Sequence, residues 1–199
     1  MSEPTLREKE IVAHYHRFLG KETRIVRFDG MPEPAPSTIR VLEYAPASEG
    51  DAWAYATVGV SDRPMPDPNR PDSQPNDPRM ELVTYSATQQ EALIDVLPTL
   101  AAYPFVHNTF LGWGHMIAGT PGRGIVEGSP LTEILLSHPY LEGMDIIHHE
   151  DGTHTQLLWV VPIHLSERMY AREHGHGALE ELFAEHEIDS ADLWRPPVV

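Results

Sequence analysis

Histidine is the residue type in this chain whose abundance most suggests chemistry. The sequence holds twelve histidines in 199 residues, and neutral imidazole is a common ligand of Zn²⁺ in hydrolases. A zincin motif needs a second histidine four residues after the first, but the fourth residue after His149 is Thr153. No third ligand stands at a recognisable spacing from the neighbouring histidines, which are His148, His154, His164, His174 and His176.

Two of these histidines flank a turn. Asp151-Gly152 separates two β-rich segments and is the strongest hairpin signal in the sequence, because a type I′ turn needs positive φ at both central residues. A two-residue turn would place His149 opposite His154, while alternation would send His148 to the other face. We therefore predict exposed histidines at a hairpin tip and no metal site. A metal-dependent hydrolase built on His149, His154 and one further ligand is the alternative.

Nucleophilic and phosphate-binding chemistry lack their motifs. The chain has no cysteine, and Ser129 does not stand in a Gly-x-Ser-x-Gly nucleophile elbow. Gly112-Trp-Gly114 and Gly122-Arg-Gly124 lack the third glycine and the Gly-Lys-Ser/Thr ending of phosphate-binding loops. Carboxylate pairs are too frequent in so acidic a chain to indicate acid–base catalysis. The sequence therefore predicts no enzyme and no cofactor.

The composition indicates one acidic globular domain over residues 1–199. It is 41% hydrophobic and 22% charged, and this length fits a single domain. Thirty acidic against fourteen basic side chains give a net charge of −16, which repels nucleic acid and anionic lipid. Eight carboxylates lie between Glu167 and Asp192, which is typical of a solvated face and sometimes of a docking surface. Without cysteine, a signal peptide or an apolar run of ~20 residues, we expect a cytoplasmic protein without membrane contact.

Periodicity predicts the elements that would carry a site. Helical spacing of apolar residues predicts a helix over 4–19, and alternation predicts strands over 23–28, 38–44, 52–60 and 80–86. The further elements are a helix capped by Thr88 and kinked or restarted at Pro98, a short strand over 131–136, the hairpin 144–163, a helix from Ser166 to Gly175 and another after Gly177. The Pro- and Asp-rich segment 61–79 is expected to be a surface loop that does not join the core.

Residues 100–117 are expected to form an irregular, largely buried crossing. Pro104, Gly112 and Gly114 should interrupt any regular element there. The aromatic side chains of the segment should pack in the core, and they are Tyr103, Phe105, Phe110 and Trp113.

Several short motifs follow one another along the chain. In order, they are Trp53-x-Tyr55-x-Thr57-x-Gly59-x-Ser61, Glu81-Leu82, Leu100-Ala-x-Tyr103-x-Phe105, Gly114-His115, the Leu157–Ile163 strand, Ser166-Glu167 and Leu179-Glu-x-Leu182. In their serial order and distances they resemble the suppressor of fused domain, and the resemblance covers nearly the whole chain.

This resemblance implies an α+β fold in a single domain, with a mixed, largely antiparallel sheet flanked by helices, and a binding protein without catalytic residues. Animal relatives clasp an extended peptide of Hedgehog transcription factors, whereas shorter bacterial relatives are thought to be immunity proteins that neutralise a toxin. This chain stops at Val199 without a second domain that would close over a peptide, so it resembles the bacterial relatives more. We therefore predict an immunity protein for a basic, nuclease-like toxin. A peptide-binding adaptor that uses strand addition is the alternative.

Five residues are candidates for partner contacts. Trp113 and His115 adjoin glycines that expose backbone, Asn108 precedes the first of these glycines in the same segment, and Asp145 and Glu150 supply acidic groups near the hairpin. For Trp113, packing in the core is the competing interpretation.

Overall fold

Helices flank both faces of one twisted sheet in this protein. The structure, a computed structural model, describes residues 3–68 and 77–199. The elements are α1 (Leu6–Leu19), β1 (Arg24–Asp29), β2 (Thr38–Tyr44), β3 (Trp53–Val58), β4 (Met80–Ser86), α2 (Glu91–Val106), β5 (Met116–Ile117), β6 (Glu133–Ser137), β7 (Ile146–His148), β8 (His154–Ile163), α3 (Leu165–His174) and α4 (His176–Glu185).

The eight strands of the described residues form a single mixed sheet. Its order is β1-β2-β3-β4-β8-β6-β5, and β7 pairs with the first half of β8. The β4–β8 pairing is parallel and every other pairing in the described ranges is antiparallel. The predicted α+β class and the largely antiparallel sheet are therefore confirmed.

Alternation along the strands divides the core between the two faces of the sheet. Leu82 and Leu158 face α2 in one cluster, whereas their neighbours Val83 and Leu157 face α1 in the other. A third cluster packs α3 and α4 against β6 and β8, beside α1 on the same face. Each fully buried leucine or valine stabilises the fold by about 1.5–3 kcal/mol.

Helix α2 continues through two prolines. It runs from Glu91 to Val106 with Pro98 and Pro104 inside, and Gln90 rather than Thr88 occupies its N-cap. A restart at Pro98 and a break at Pro104 are therefore wrong predictions. An interior proline costs ~3 kcal/mol, but α2 buries a row of apolar side chains that includes Leu93 and Leu97, each worth about 1.5–3 kcal/mol. Only the part of the 100–117 segment after α2 is an irregular crossing.

The segment 61–79 contacts the core at the two ends that are described. Ser61 lies in a 3₁₀ turn, Met65 is 1% exposed in the α2-side cluster, and its N–H donates to the Pro78 carbonyl at 2.8 Å. The prediction that this segment stays out of the core is therefore wrong at Met65. Residues 69–76 of the predicted loop lie outside the described residues.

The β7–β8 hairpin has a longer turn than we predicted. His149 N–H donates to the Thr153 carbonyl, and His148, not His149, pairs with His154. The turn thus has three residues, with Gly152 at φ 79°, and a one-residue change of register exchanges the two faces of a strand. This register places Ile147 on the face of the sheet that α1 covers, where it is buried.

The C-terminal helices begin earlier than predicted. His164, not Ser166, is the N-cap of α3, and α4 starts at His176, before Gly177. Glu167 completes the first turn of α3 by accepting from the His164 N–H at 2.8 Å.

Candidate protein-binding surface

Trp113 fills a gap along the edge of β8. Leu157 lies between the β8 residues that pair with β7 and those that pair with β6. The Leu157 N–H donates to the Asp145 carbonyl at 2.8 Å, and its carbonyl accepts from Nε1–H of Trp113 at 3.3 Å. The indole N–H therefore satisfies the Leu157 carbonyl at a position where neither β6 nor β7 pairs with β8. Trp113 is half-buried and packs against the α2-side cluster, so it has a structural contact, and its role in partner binding stays a prediction.

His138 and Asp145 join Trp113 at this gap. The His138 ring stacks on the indole with ring centroids 3.9 Å apart and an angle of 22° between the planes. Its Nδ1 is 3.8 Å from Asp145 Oδ2, and its side chain is 56% exposed. The sequence predicted Trp113 and Asp145 as contact residues but missed His138.

Tyr140 belongs to an aromatic cluster in the same connection between β6 and β7 that holds His138 and Asp145. Its ring centroid is 4.8 Å from that of Tyr85 and 5.8 Å from that of Trp159, while 60% of Tyr140 is exposed. Partial burial raises the pKa of its hydroxyl, and the nearby Asp51 carboxylate adds to this rise. We call Trp113, His138, Tyr140 and Asp145 together the β6–β7 patch. An exposed aromatic ring on a packed base is a common anchor in protein interfaces.

The other candidate residues lie outside the patch. The His115 carbonyl accepts from Leu136 N–H at 2.8 Å, so this residue extends the short pairing of β5 with β6. Asn108 is exposed with φ 47° just past the end of α2. Glu150 is exposed in the hairpin turn, and its N–H donates to Glu10 Oε1 of α1 at 3.0 Å. The structure thus unites Trp113 and Asp145 and places Asn108 and Glu150 elsewhere.

A buried carboxylate, Glu81, gathers the polar residues of one sequence motif. Its Oε1 accepts from Gly59 N–H at 3.0 Å, from Ser61 N–H at 3.0 Å and from the Ser61 hydroxyl at 2.8 Å. Its Oε2 accepts from the Thr57 hydroxyl at 2.7 Å. Burial raises the pKa of Glu81 to about 7, although these hydrogen bonds lower it. The sequence contained this signal as Thr57-x-Gly59-x-Ser61 and Glu81, but period-two spacing alone did not show that the residues meet.

This arrangement is structural. Glu81 is 0% exposed, so a substrate cannot reach it without opening the sheet. Gly59 has φ 104°, and a Cβ there would be 3.0 Å from the Thr38 carbonyl oxygen. The carboxylate satisfies backbone N–H groups where β3 leaves the sheet, which explains why these residue types occur together.

His149 and His154 of the hairpin have different surroundings. His149 is buried, with Nδ1 2.6 Å from Glu10 Oε2 and Nε2 2.8 Å from Thr155 Oγ1, whereas His154 is exposed. Burial lowers the pKa of His149, although the hydrogen bond from its ring to the Glu10 carboxylate raises it. Across residues 3–68 and 77–199, no group of three His, Cys, Asp or Glu side chains could hold a metal ion. The observed register therefore separates His149 from His154, the pair on which the hydrolase alternative was built.

The exposed surface around α4 is acidic. Its exposed carboxylates are those of Glu173, Glu181, Glu185, Glu187 and Asp189. Two acidic residues of the same stretch are engaged elsewhere, because Glu167 pairs with Arg195 and Glu180 accepts from the Ser137 hydroxyl. None of the helices in the described part of the chain is long and apolar enough to cross a bilayer.

Comparison with known proteins identifies related sequences and folds. The family model described as Suppressor of fused protein (SUFU) matches residues 35–196. A suppressor of fused homolog from Neisseria gonorrhoeae is similar in structure, with a TM-score of 0.73 and 23% identity over 97% of each chain. No curated protein matches the sequence.

Two further structures share the fold. A chain of the Sufu–Fu complex matches with a TM-score of 0.67 and 15% identity, over 98% of this chain and 93% of that chain. Drosophila Suppressor of Fused matches with a TM-score of 0.67 and 16% identity, over 100% of this chain and 52% of its own length.

Proposed function

The chain belongs to the suppressor of fused family, and we propose that it is a non-enzymatic, cytoplasmic protein-binding module that neutralises a basic, nuclease-like toxin as an immunity protein. The observation that carries this proposal is the strongly acidic surface, with a net charge of −16 and exposed carboxylates around α4. A cationic nuclease would be attracted by this field, and carboxylates would cover its nucleic-acid groove. The crystallised Sufu–Fu complex is a precedent for partner binding in a relative.

The β6–β7 patch supplies the apolar anchor that such an interface needs. Charge accelerates association, but affinity depends on a few well-packed side chains at the centre of the contact. Tyr140 is largely exposed and rests on Tyr85 and Trp159. Asp145 lies near the edge of the same patch and would accept from a cationic side chain of the partner. Asn108, His115 and Glu150 remain proposed peripheral contacts.

The first experiment tests whether a neighbouring gene encodes the partner. We expect the purified chain to retain the tagged product of the adjacent gene and to protect cells that express it. The immunity proposal would be excluded for that pair if the chain did not retain the adjacent gene product and if cells that express both proteins still died.

A second experiment tests the patch. Tyr140→Ala should weaken the captured complex by about tenfold or more, because aromatic anchors commonly contribute 2 kcal/mol or more. The thermal midpoint should change little, since most of this side chain is exposed. Tyr103→Ala, at a half-buried tyrosine of α2, is the control with the same chemical change. Equal losses of binding in both variants would show that the patch has no special role.

A further inference from the structure

Strand β1 leaves one edge of the sheet unpaired. Over the described residues it pairs with β2 alone. Gly30 N–H donates to the Ser37 carbonyl at 2.9 Å, and this pair lies in the same register as the β1–β2 ladder. Hydrogen-bonded and non-bonded pairs alternate in an antiparallel ladder. The N–H groups of Ile25, Arg27 and Asp29 therefore point away from β2, toward the free edge.

An apolar groove opens beside this edge. It has a volume of about 650 Å³ and lies between α1 and the strands β1, β2 and β3. Val12 and Ala13 of α1 form one wall, and Leu42 and Val58 form the floor. Ile25 lines the groove on β1 and is 54% exposed. A large aliphatic side chain with this exposure on a free edge is unusual, because natural edge strands are commonly protected.

The groove carries cationic groups in an otherwise acidic protein. Arg40 is 2.7 Å from the buried Glu8 carboxylate, and Arg27 is 2.8 Å from Asp29 on its own strand. The other two cations of the lining are His16, which pairs with Glu22, and Lys9. Lys9 is exposed and has no carboxylate partner within the described part of the chain. The groove thus offers one uncommitted ammonium group beside an apolar floor.

We propose that the β1 edge and the α1–β1 groove together bind an extended segment of a partner protein in which an apolar residue and an acidic residue lie two positions apart. Residues two apart in a strand share one face. The apolar side chain would enter the groove beside Ile25, and the carboxylate would pair with Lys9. The outward N–H groups of β1 would supply the backbone hydrogen bonds of strand addition.

The charges of the edge favour an acidic segment over a second copy of this chain. Arg24 and Arg27 lie on β1, and charged side chains on an edge strand oppose pairing with an identical edge. A second copy would also bring another net charge of −16. A basic segment would meet the uncommitted Lys9 ammonium in this groove, whereas it would be attracted to the exposed carboxylates around α4. The groove is therefore a second site, independent of the proposed toxin contact.

The experiment selects ligands from a phage-displayed library of random nonapeptides on the whole chain and measures the enriched peptides by fluorescence polarisation. We expect the enriched peptides to share an apolar-x-acidic pattern. Arg27→Pro removes an outward N–H without removing a bond to β2, so it should abolish binding that Arg27→Ala retains. Lys9→Glu should weaken binding about fivefold. Lys21→Glu is the control, because it makes the same change at an exposed lysine outside the groove lining, and it should leave binding unchanged.

A further variant keeps the test decisive if Arg27→Pro unfolds the protein. Ala13→Trp fills the groove from α1 at an exposed position and leaves β1 unchanged, and it should also abolish binding. Enrichment of no peptide, or binding that survives both Ala13→Trp and Lys9→Glu, would overturn the proposal. Capture of the adjacent gene product should be unaffected by these variants, so failure here and failure of the immunity proposal are distinguishable.

Discussion

At the scale of single residues, buried polar groups explain why the motifs of this chain exist. Glu81 accepts four hydrogen bonds from Thr57, Gly59 and Ser61 and has no cationic partner among them. A carboxylate in such a site is stabilised by fixed donors and destabilised by the loss of water. The balance raises the pKa of Glu81 to about 7, so part of this group is protonated at neutral pH. A raised pKa is often taken to indicate catalysis, but here it accompanies complete burial.

The first prediction follows from this pKa. Because the pKa of Glu81 is raised from its ordinary value of 4.5 to about 7 in the folded chain, its stabilising contribution is present below 4.5 and is lost as the pH rises through 7. The free energy of unfolding of the wild type minus that of Glu81→Gln should therefore fall between about pH 5 and about pH 8. Urea unfolding at each pH measures it, and the histidine contributions cancel in the difference.

Glu181→Gln makes the same chemical change at an exposed residue of α4. Its difference from the wild type should stay nearly constant over this range. A difference for Glu81→Gln that is flat or rises with pH would show that Glu81 stays ionised when the chain folds.

At the scale of elements, side chains distant in sequence fix how helices and hairpins dock. Glu10 of α1 accepts from His149 and from the Glu150 N–H, and Arg7 lies 2.7 Å from Asp151. These contacts hold α1 against the β7–β8 turn. The turn that they contact has three residues, whereas the sequence predicted two. The turn dipeptide alone favoured the shorter loop, so the register could not be predicted without the contact between α1 and the hairpin.

The second prediction concerns the pair that attaches the C-terminal residues to α3. Glu167 accepts from both Arg195 Nη atoms, at 2.6 and 2.8 Å, and from Val198 N–H. Although burial raises the pKa of Glu167, the hydrogen bonds from Arg195 lower it below its ordinary value. Glu167→Ala should reduce the free energy of unfolding by about 3–5 kcal/mol, because it leaves the Arg195 charge buried without a partner. Urea unfolding measures this loss.

The Arg24–Glu91 pair is the matched control, because its side chains are 44% and 67% exposed. Glu91→Ala should cost far less, since water screens an exposed pair. Replacing both members of the buried pair by methionine should be milder than Glu167→Ala. A small effect of Glu167→Ala would mean that the last residues of the chain do not depend on this pair.

At the scale of the whole molecule, local periodicity predicted most elements, while long-range contacts decided the rest. The strands over 23–28, 38–44 and 80–86 were predicted to within a residue or two, because alternation records which face is buried. The continuity of α2 through Pro98 was not predicted from the sequence. The free-energy cost of an interior proline is local, whereas the burial of α2 against the sheet that outweighs it depends on the whole fold. Trp113 was predicted as a candidate, whereas His138 joined it only through the fold. The α1–β1 groove is lined by residues from four elements between positions 4 and 58, and no motif in the sequence predicted it.

The third prediction tests the electric field of the whole protein against its proposed basic partner. Glu181→Lys changes the net charge from −16 to −16 + 2 = −14 at the exposed face of α4. The association rate at low salt should fall by about two- to fivefold, and the dissociation rate should change less, because a peripheral charge acts mainly on diffusional encounter. Asp95→Lys makes the same change in net charge on α2, which covers the opposite face of the sheet. If the α4 surface meets the partner, Asp95→Lys should slow association less, and the difference between the two variants should shrink as salt shortens the Debye length. Equal slowing in both variants would assign the effect to net charge alone, and association that is independent of salt would remove electrostatic attraction from the mechanism.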